Sequence, residues 1–241
     1  MHQELREVNI YTAIIEAIAL GNTRFNDIVT RTKIDTSKLG VYLKSLISLG
    51  IVLKEYSALS SFSELSKSNK ALYTIKDNFF YFWYAFAYPN LNQLEHDDVE
   101  GVYEYLVKPN LRHFAAKTFE NICIDYLYKL SKNNKTPFRI TNAARWWGKV
   151  TKTEEGKKKT YETEIDILSY NEKRDQFILG ECKFRNEVFS MEQFVELAGK
   201  NIFSSDASYY LFSLVGFQKS LIEKANKEDN IHLISLHDIC K

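Results

Sequence analysis

The chain has 241 residues, 45% of them hydrophobic and 26% charged, enough for one large globular domain or two ordinary ones. Its formal net charge of +1 excludes a strongly basic protein, so any binding of nucleic acid must depend on local patches. The three widely spaced cysteines, Cys123, Cys182 and Cys240, argue against a disulfide framework and against a zinc site. There is no apolar run of membrane-spanning length, and the polar start is unlike a secretory signal. These properties predict a cytoplasmic protein without a membrane partner.

Residues 1–90 are predicted to form a small helical domain that includes a hairpin. The apolar spacing predicts helices at about 8–20, 24–31 and 36–49 and two short strands at 51–56 and 71–75. Asn22-Thr23 and Asp35-Thr36 are the candidate N-caps of the second and third helices. Three helices followed by a hairpin is the order of a winged helix, with 36–49 as the recognition helix and 57–70 as the wing tip.

The second and third helices carry a modest excess of basic residues. Arg24, Arg31, Lys33, Lys38 and Lys44 stand against Asp27 and Asp35, which is five positive charges against two negative ones. Arg31, Lys38 and Lys44 are therefore the candidate DNA-binding residues, by contact with phosphate. The alternatives are a solvated helix face and a winged helix that binds only protein.

An aromatic block and an acidic segment follow. Residues 79–89 read Phe-Phe-Tyr-Phe-Trp-Tyr-Ala-Phe-Ala-Tyr-Pro, and we expect a helix buried between two units, because such a patch would promote aggregation if exposed. Residues 91–110 are predicted to be a linker with a short helix at 102–107 that stops at Pro109. Residues 111–241 form the second predicted domain.

The second domain alternates strands and helices. A long helix is predicted at about 111–131, with Glu120 at the edge of its apolar face. Strands are predicted at about 138–141, 145–150, 161–170, 175–184, 207–215 and 230–236, with helices at about 190–203 and 217–227. The order predicts a mixed sheet flanked by helices, an α/β or α+β fold.

Three charged residues lie in apolar strands of this domain. They are Asp166, in Glu-Ile-Asp-Ile-Leu, and the Glu181–Lys183 pair, in Gly-Glu-Cys-Lys. Because side chains alternate along a strand, Glu181 and Lys183 share a face, and Glu164 and Asp166 share one opposite Ile165 and Ile167. A simple hairpin would place Asp166 beside Glu181 and Lys183. Two carboxylates beside an ammonium group suit Mg²⁺ and the hydrolysis of a phosphodiester. The alternative is an internal ion-pair cluster without activity.

An Asp, a Glu-x-Lys on the next strand and a Glu on the preceding helix resemble the PD-(D/E)XK, or restriction-endonuclease-like, superfamily. The resemblance implies catalytic roles for Asp166, Glu181, Lys183 and Glu120, with the three carboxylates as metal ligands for Mg²⁺. The chain departs from the pattern at Ile165, where the superfamily has proline. Gln193 is a weaker candidate for a further polar residue of the site.

The chain is also similar to the C-terminal region of archaeal-type P-loop ATPases, a region classed as a domain of unknown function. This second resemblance depends on the winged-helix order, the aromatic block with Tyr88-Pro89, Phe119-Glu120, Arg-Trp-Trp at 145–147, Glu-Ile-Asp at 164–166 and Gly-Glu-Cys-Lys at 180–183. It implies an ATPase module as a partner, either on a longer chain or separate. This sequence has no G-x-x-x-x-G-K-[ST] motif, so no ATP site is expected in it.

The sequence thus predicts a DNA-interacting protein with a Mg²⁺-dependent endonuclease site that is either active or inactive. The alternative is a non-catalytic module that binds DNA or protein as the regulatory part of an ATPase. A transcriptional regulator is a third interpretation. Trp146-Trp147 and Lys157–Lys159 are candidate DNA contacts, but a packed strand and a solvated loop are the simpler interpretations.

Overall fold

The chain divides into two compact units. Unit 1 comprises Met1–Tyr56 and Ser60–Leu111, and unit 2 comprises Ser57–Leu59 and Arg112–Lys241. The computed structural model describes residues 2–60, 70–154 and 157–241, and the side chains of these except 2–7, 152–154 and 157. No helix within these ranges combines the length and the hydropathy needed to cross a membrane.

Unit 1 begins with three helices and a two-stranded antiparallel sheet. The elements are α1 (His2–Ala19), α2 (Phe25–Thr32), α3 (Thr36–Ser48), β1 (Val52–Glu55) and β2 (Leu72–Ile75). The helix predicted at 36–49 is confirmed: Leu39, Leu43 and Leu46 are buried, and the Asp35 carboxylate accepts a hydrogen bond from the backbone N–H of Ser37. The spacing of three and four residues places these leucines on one side of α3, where they pack against Ile14.

One local prediction for unit 1 is wrong, and a second falls largely outside the described residues. The N-cap of α2 is Arg24, without a side-chain cap, because the Asn22 side chain donates to the carbonyl of Ala17 at the end of α1. In the predicted wing tip at 57–70, residues 61–69 lie outside the described residues, and Ser57–Leu59 belong to unit 2. Within unit 2 the Ala58 N–H donates to the carbonyl of Arg145 at 3.0 Å, which explains why this short segment groups with the strands.

The rest of unit 1 is helical. Its elements are α4 (Asn78–Phe82), a π-helix (Trp83–Ala87), a 3₁₀-helix (Tyr88–Asn90), α5 (Leu91–Glu95), α6 (Val99–Val102) and a second π-helix (Tyr103–Val107). The predicted helix end at Pro109 is wrong. Helical structure continues from the second π-helix into α7 (Lys108–Lys132), and Pro109 lies in the first turn of α7, where a missing backbone N–H is tolerated.

The aromatic block at 79–89 forms the predicted helix but is only partly buried. Phe79 is 70% exposed, and Phe80 and Trp83 are also exposed, whereas Phe86 is buried. The expectation of burial is therefore wrong for three of its rings. The rings instead shield one another along the helix, since Phe79 stacks on Trp83 and Phe80 stacks on Tyr84.

Unit 2 contains a five-stranded sheet in the order β3-β4-β5-β6-β7. The strands are β3 (Ala143–Glu154), β4 (Lys157–Tyr170), β5 (Phe177–Lys183), β6 (Ala207–Ser213) and β7 (Ile231–Ser235). β3, β4 and β5 are antiparallel neighbours, whereas β5, β6 and β7 run parallel. The predicted mixed sheet with flanking helices is confirmed as an α+β arrangement.

Helices cover both faces of this sheet. Phe119, Cys123 and Leu127 of α7 pack with Ile167 and Ile178 on what we call the α7 face. On the opposite, α8 face, Phe194 and Leu197 of α8 (Met191–Gly199) and Leu221 of α9 (Lys219–Ala225) pack with Leu168 and Leu179. A short α10 (Leu236–Ile239) ends the described chain. Residues of β5 therefore alternate between two buried layers.

Two predictions at the edge of the sheet need correction. Residues 138–141 do not form a strand, because α7 side chains take the local backbone donors: the Ile140 N–H donates to Ser131 Oγ and the Ala143 N–H to the Tyr128 hydroxyl. The Lys157–Lys159 run lies on β4 rather than in a loop, paired with the end of β3. Trp146 is buried against Phe203, which confirms the packed-strand interpretation for that ring.

Gly148 makes room for the ring of Trp146, and this contact predicts a stability effect. A Cβ atom at Gly148 would lie 2.6 Å from Trp146 Cζ2, and the ring is held by Phe203. We expect Gly148→Ala to lower the free energy of unfolding by about 1–3 kcal/mol, because the ring must move within a packed layer.

Gly40 on α3 is the matched control for the Gly148 prediction. A Cβ atom at Gly40 meets nothing within 4 Å, so Gly40→Ala should stabilise by about 0.4–1 kcal/mol. Urea titrations followed by circular dichroism would compare both variants with the wild type. Equal stability of Gly148→Ala and the wild type would contradict the prediction.

Candidate active site

Glu181 and Lys183 lie at the carboxyl end of β5. Side chains alternate along β5, so Leu179, Glu181 and Lys183 lie on the α8 face and Cys182 lies on the α7 face, as predicted. Glu181 is 8% exposed, and Lys183 Nζ donates a hydrogen bond of 2.5 Å to Glu181 Oε1. A carboxylate this deeply buried requires a cation or hydrogen-bond donors, and Lys183 supplies both.

Asp166 lies at a β-bulge that the strand alternation did not predict. Ala144 of β3 pairs with Leu168 and Trp146 pairs with Ile165, so β4 has one more residue than β3 over this interval. As a result Ile165 packs on the α8 face and Ile167 on the α7 face, although alternation predicts that they share one. Bulges redirect side chains in this way, and the predicted common face for Glu164 and Asp166 does not follow.

The bulge brings the Asp166 carboxylate onto the backbone of β5. The pairing of β4 with β5 ends at Ile167 and Gly180, and beyond that point Asp166 Oδ2 accepts a hydrogen bond of 2.8 Å from the Cys182 N–H. The Asp166 side chain thus binds a backbone N–H of β5 that lies beyond the last residue pair of β4 and β5. This bond positions Asp166 next to the segment that carries Glu181 and Lys183.

Burial, together with the negative charges of Glu181 and Glu120, raises the pKa of Asp166 to about 7. The Cys182 N–H and the Lys183 ammonium group act in the opposite direction. Asp166 is therefore close enough to two carboxylates and one ammonium group for all three to influence its protonation. A simple hairpin register predicts Asp166 beside Glu181, and in the structure the Glu181 charge acts on Asp166.

Glu120 approaches from the other side of the sheet. It lies on α7, and its carboxylate forms a salt bridge with the guanidinium group of Arg145 on β3. Both side chains are about one-fifth exposed, each at 21%. Phe119, the neighbour of Glu120, is buried and packs on Phe184, which fixes this turn of α7 against the end of β5. The predicted edge position of Glu120 is confirmed.

The carboxylates do not form a three-ligand metal cluster. Among the residues that the structure describes, no group of three or more His, Cys, Asp or Glu side chains is arranged to hold a metal ion. Glu181 and Glu120 are instead ion-paired with Lys183 and Arg145. Asp166 accepts a hydrogen bond from the Cys182 N–H.

Two cations near these carboxylates were missed in the sequence. Lys200 caps the C-terminus of α8, and its Nζ lies 3.7 Å from Glu181 Oε2. Arg145 was considered only as part of Arg-Trp-Trp, although its charge between Ala143-Ala144 and Trp146-Trp147 was a usable signal. Lys200 carries no such signal, because a basic residue at the end of a helix is ordinary.

Gln193, the weaker candidate, has a structural role. Ser190 and Gln193 form a capping box at the start of α8: the Ser190 N–H donates to Gln193 Oε1 at 2.9 Å, and the Gln193 N–H donates to Ser190 Oγ.

We expect Ser190→Ala to lower the free energy of unfolding by about 1 kcal/mol, measured by urea denaturation. Ser220→Ala, at an exposed position in α9, is the control and should change stability by less than about 0.5 kcal/mol. Identical midpoints for the two variants would contradict the capping argument.

The candidate DNA-binding residues of unit 1 are all exposed. Lys38 and Lys44 lie on α3, and Arg31 lies in the last turn of α2. Nothing in their local geometry separates a phosphate-binding face from a solvated one, so their role stays a prediction.

Comparison with known proteins finds a partial match to a family without an assigned activity. Residues 83–196, which include Glu120, Asp166, Glu181 and Lys183, match the profile of a family described as archaea bacterial proteins of unknown function (DUF234). An uncharacterized protein of Methanocaldococcus jannaschii, MJECL04, is 29% identical over 187 residues. That match covers 77% of this chain but 38% of the relative, so the chain spans well under half of the relative's length. No solved structure matches the chain significantly.

Proposed function

We propose that this chain is a DNA-interacting protein whose unit 2 carries a Mg²⁺-dependent phosphodiester-cleaving site at Asp166, Glu181 and Lys183, with Glu120 beside it. The observation that carries the proposal is the Asp166 carboxylate, held by the Cys182 N–H and acted on by two further carboxylates and the Lys183 ammonium group. In residue types and chain order this set resembles the restriction-endonuclease-like pattern, and that resemblance supports the proposal.

The residues present fit a Mg²⁺ ion. Mg²⁺ prefers oxygen ligands and often takes only one or two carboxylates, with water and phosphate oxygens completing its shell, so a three-ligand protein cluster is not required. Asp166 and Glu181 would hold the ion, and Glu120 lies near enough to affect the charge of Asp166. Their mutual repulsion is the kind that a bound cation relieves. When bound, the ion polarises the scissile phosphate and lowers the pKa of a coordinated water.

The protein's own residues would then divide the remaining work. Lys183, fixed by its hydrogen bond to Glu181, stabilises negative charge that develops on the phosphate oxygens. The Cys182 N–H holds Asp166 in one orientation, and the packing of Ile165 and Ile167 in opposite layers keeps the bulge in place. These contacts supply preorganisation, which phosphoryl transfer chiefly requires from a protein.

Unit 1 would bind duplex DNA in this proposal. Its three helices and antiparallel hairpin are in winged-helix order, with α3 as the recognition helix. Lys38 and Lys44 on α3, with Arg31 on α2, supply exposed positive charge for phosphate contacts. Duplex binding by unit 1 would raise the local concentration of DNA for the site in unit 2.

The test is cleavage by the purified full chain. Supercoiled plasmid and linear DNA should be cut in Mg²⁺ and left intact in EDTA, and Asp166→Asn should be inactive. Equal cleavage by the wild type and Asp166→Asn would identify a contaminating nuclease and reject the assignment. RNA of matched sequence, in parallel, would define the substrate.

A second candidate function is favoured by the existing ion pairs. Glu120 is paired with Arg145, and Glu181 with Lys183 and Lys200, so the site has internal cations where an active site has metal and substrate. We infer that this chain, if its nuclease-like site is inactive, would serve as a non-catalytic DNA- or protein-binding part of an ATPase. That function predicts no cleavage and no stabilisation by Mg²⁺, together with binding to a separately expressed ATPase module.

A further inference from the structure

The side chain of Lys200 is shielded from solvent, and within the part of the chain that the structure describes its ammonium group donates no hydrogen bond. Its side chain is 15% exposed, and Nζ lies 3.7 Å from Glu181 Oε2 and 3.6 Å from Glu196 Oε1. Both distances allow electrostatic attraction but exceed the usual length of an N–H···O hydrogen bond. Lys183, in contrast, donates directly to Glu181 Oε1. Lys200 thus keeps its hydrogen-bond donors available for an acceptor that arrives from outside.

The position of Lys200 places those donors beside the candidate site. Lys200 follows the last turn of α8, and Leu197 in that turn is buried on the α8 face of the sheet. Glu181 and Lys183, at the end of β5, follow Leu179 at two-residue intervals and therefore lie on the same face. One carboxylate, Glu181, therefore has an ammonium group next to each of its two oxygens.

The two ammonium groups beside Glu181 suit the binding of a phosphodiester backbone better than the neutralisation of one carboxylate. A single carboxylate balances one ammonium group, and Lys183 already balances Glu181 at hydrogen-bond distance. The second ion pair of Lys200 is to Glu196, whose side chain is 72% exposed, so solvent screens that attraction. Lysine is a common phosphate ligand that acts as a point charge. A phosphate oxygen near Glu181 would give Lys200 the short, charge-assisted hydrogen bond that it lacks.

We propose that Lys200 binds a phosphate oxygen of the nucleic-acid substrate, beside the Glu181–Lys183 pair. The inference rests on the proposed function, and it adds a substrate-contact residue to it. Lys183 acts at the phosphate that is cleaved, whereas Lys200 holds the backbone next to it. The contact is with the backbone alone, so it does not depend on base sequence.

The test combines DNA binding with cleavage kinetics on the full chain. Binding of a fluorescein-labelled DNA duplex is measured by anisotropy over a range of salt concentrations in EDTA, and KM and kcat are measured in Mg²⁺. Lys200→Met should weaken binding about 5–10-fold and reduce the slope of log K against log salt by about one. KM should rise by a similar factor with a smaller change in kcat, and Lys200→Arg should restore most of the affinity.

Lys224→Met is the matched control, because Lys224 is also a partly exposed lysine in an i,i+4 pair, with Glu228. It should leave affinity and salt slope unchanged. Glu196→Gln removes the exposed partner of Lys200 and should leave binding equal or slightly tighter. Circular dichroism of each variant checks the fold, and Lys200→Gln provides a second replacement should the methionine variant fail to fold.

The outcomes separate this inference from the proposed activity. If the wild type cleaves DNA and Lys200→Met has wild-type KM and salt slope, the Lys200 contact is rejected while the nuclease assignment stands. If the wild type does not cleave but Lys200→Met loses affinity and one unit of slope, phosphate binding stands without catalysis. A loss of affinity with an unchanged slope and no rescue by arginine means that Lys200 only supports Glu181, which overturns the proposal, as does a wild type that does not bind DNA.

Discussion

Replacement of Lys183 by methionine should lower the rate of Mg²⁺-dependent DNA cleavage by about 100–1,000-fold, the usual cost of removing one preorganised charge-stabilising group. Methionine retains the apolar stem but has no ammonium group, so stabilisation of the charge on the phosphate is lost. The Glu181 carboxylate also loses its donor at 2.5 Å and keeps only the more distant Lys200. The loss should appear mainly in kcat, because the contribution of Lys183 is greatest in the transition state.

The control for this prediction is Lys173→Met. Lys173 is exposed in the turn between β4 and β5, beyond the opposite end of β5 from Lys183. Single-turnover cleavage of a labelled duplex should be unaffected in this variant. Wild-type rates in Lys183→Met would remove Lys183 from the site, and with it the analogy to restriction-endonuclease-like enzymes.

Asp166 should make the stability of the folded protein depend on pH. Its pKa is about 7 in the folded protein, because burial and the charges of Glu181 and Glu120 raise it from 3.8. Between these two values the folded state binds a proton that the unfolded state has released. Stability therefore falls as pH rises from about 4 to about 7 and then levels off.

The magnitude is set by the cost of ionising this carboxyl group. Each pH unit in that interval removes at most about 1.4 kcal/mol, and we expect a total of about 2 kcal/mol, because Asp166 retains some contact with water. Asp166→Asn stays neutral and can still accept the hydrogen bond from the Cys182 N–H. In metal-free buffer the stability of Asp166→Asn should therefore not fall between about pH 4 and 7. At pH 8 this variant should be more stable than the wild type.

Urea titrations at pH 5 and pH 8 in EDTA measure this difference, with Asp125→Asn, an exposed position on α7, as the control. Millimolar Mg²⁺ provides a further arm of the experiment. If Asp166 is a ligand, the ion should stabilise the wild type at pH 8 and have little effect on Asp166→Asn. A wild type as stable at pH 8 as Asp166→Asn would mean that Asp166 ionises at little cost, contrary to its raised pKa.

The proteins that this chain resembles have no assigned activity. The match to proteins of unknown function covers residues 83–196, from the aromatic block to the middle of α8. The archaeal relative extends well beyond the part that this chain resembles. An ATPase module as a partner therefore stays a proposal, and Mg²⁺-dependent cleavage is the experiment that decides between the two candidate functions.

Several parts of the fold were predictable because local periodicity determines them. The leucines of α3 recur every three or four residues, so that helix and its buried side follow from spacing alone. Glu181, Cys182 and Lys183 alternate within a regular strand, so their assignment to opposite layers was correct. The 138–141 strand failed for a non-local reason: the donors of Ile140 and Ala143 bond to Ser131 and Tyr128, which lie on another element.

The apolar runs around Asp166, Glu181 and Lys183 were enough to predict that these charges lie in buried strands and require partners. The sequence by itself did not determine which partners they have. The bulge at Asp166 depends on how β3 and β4 pair, and one extra residue reverses the face of every side chain beyond it. The Arg145–Glu120 and Lys200–Glu181 pairs join residues 25 and 19 positions apart, through the packing of α7 and α8 on opposite faces of the sheet. Those contacts exist only after the layers assemble, because electrostatic pairing depends on distance in space and not along the chain.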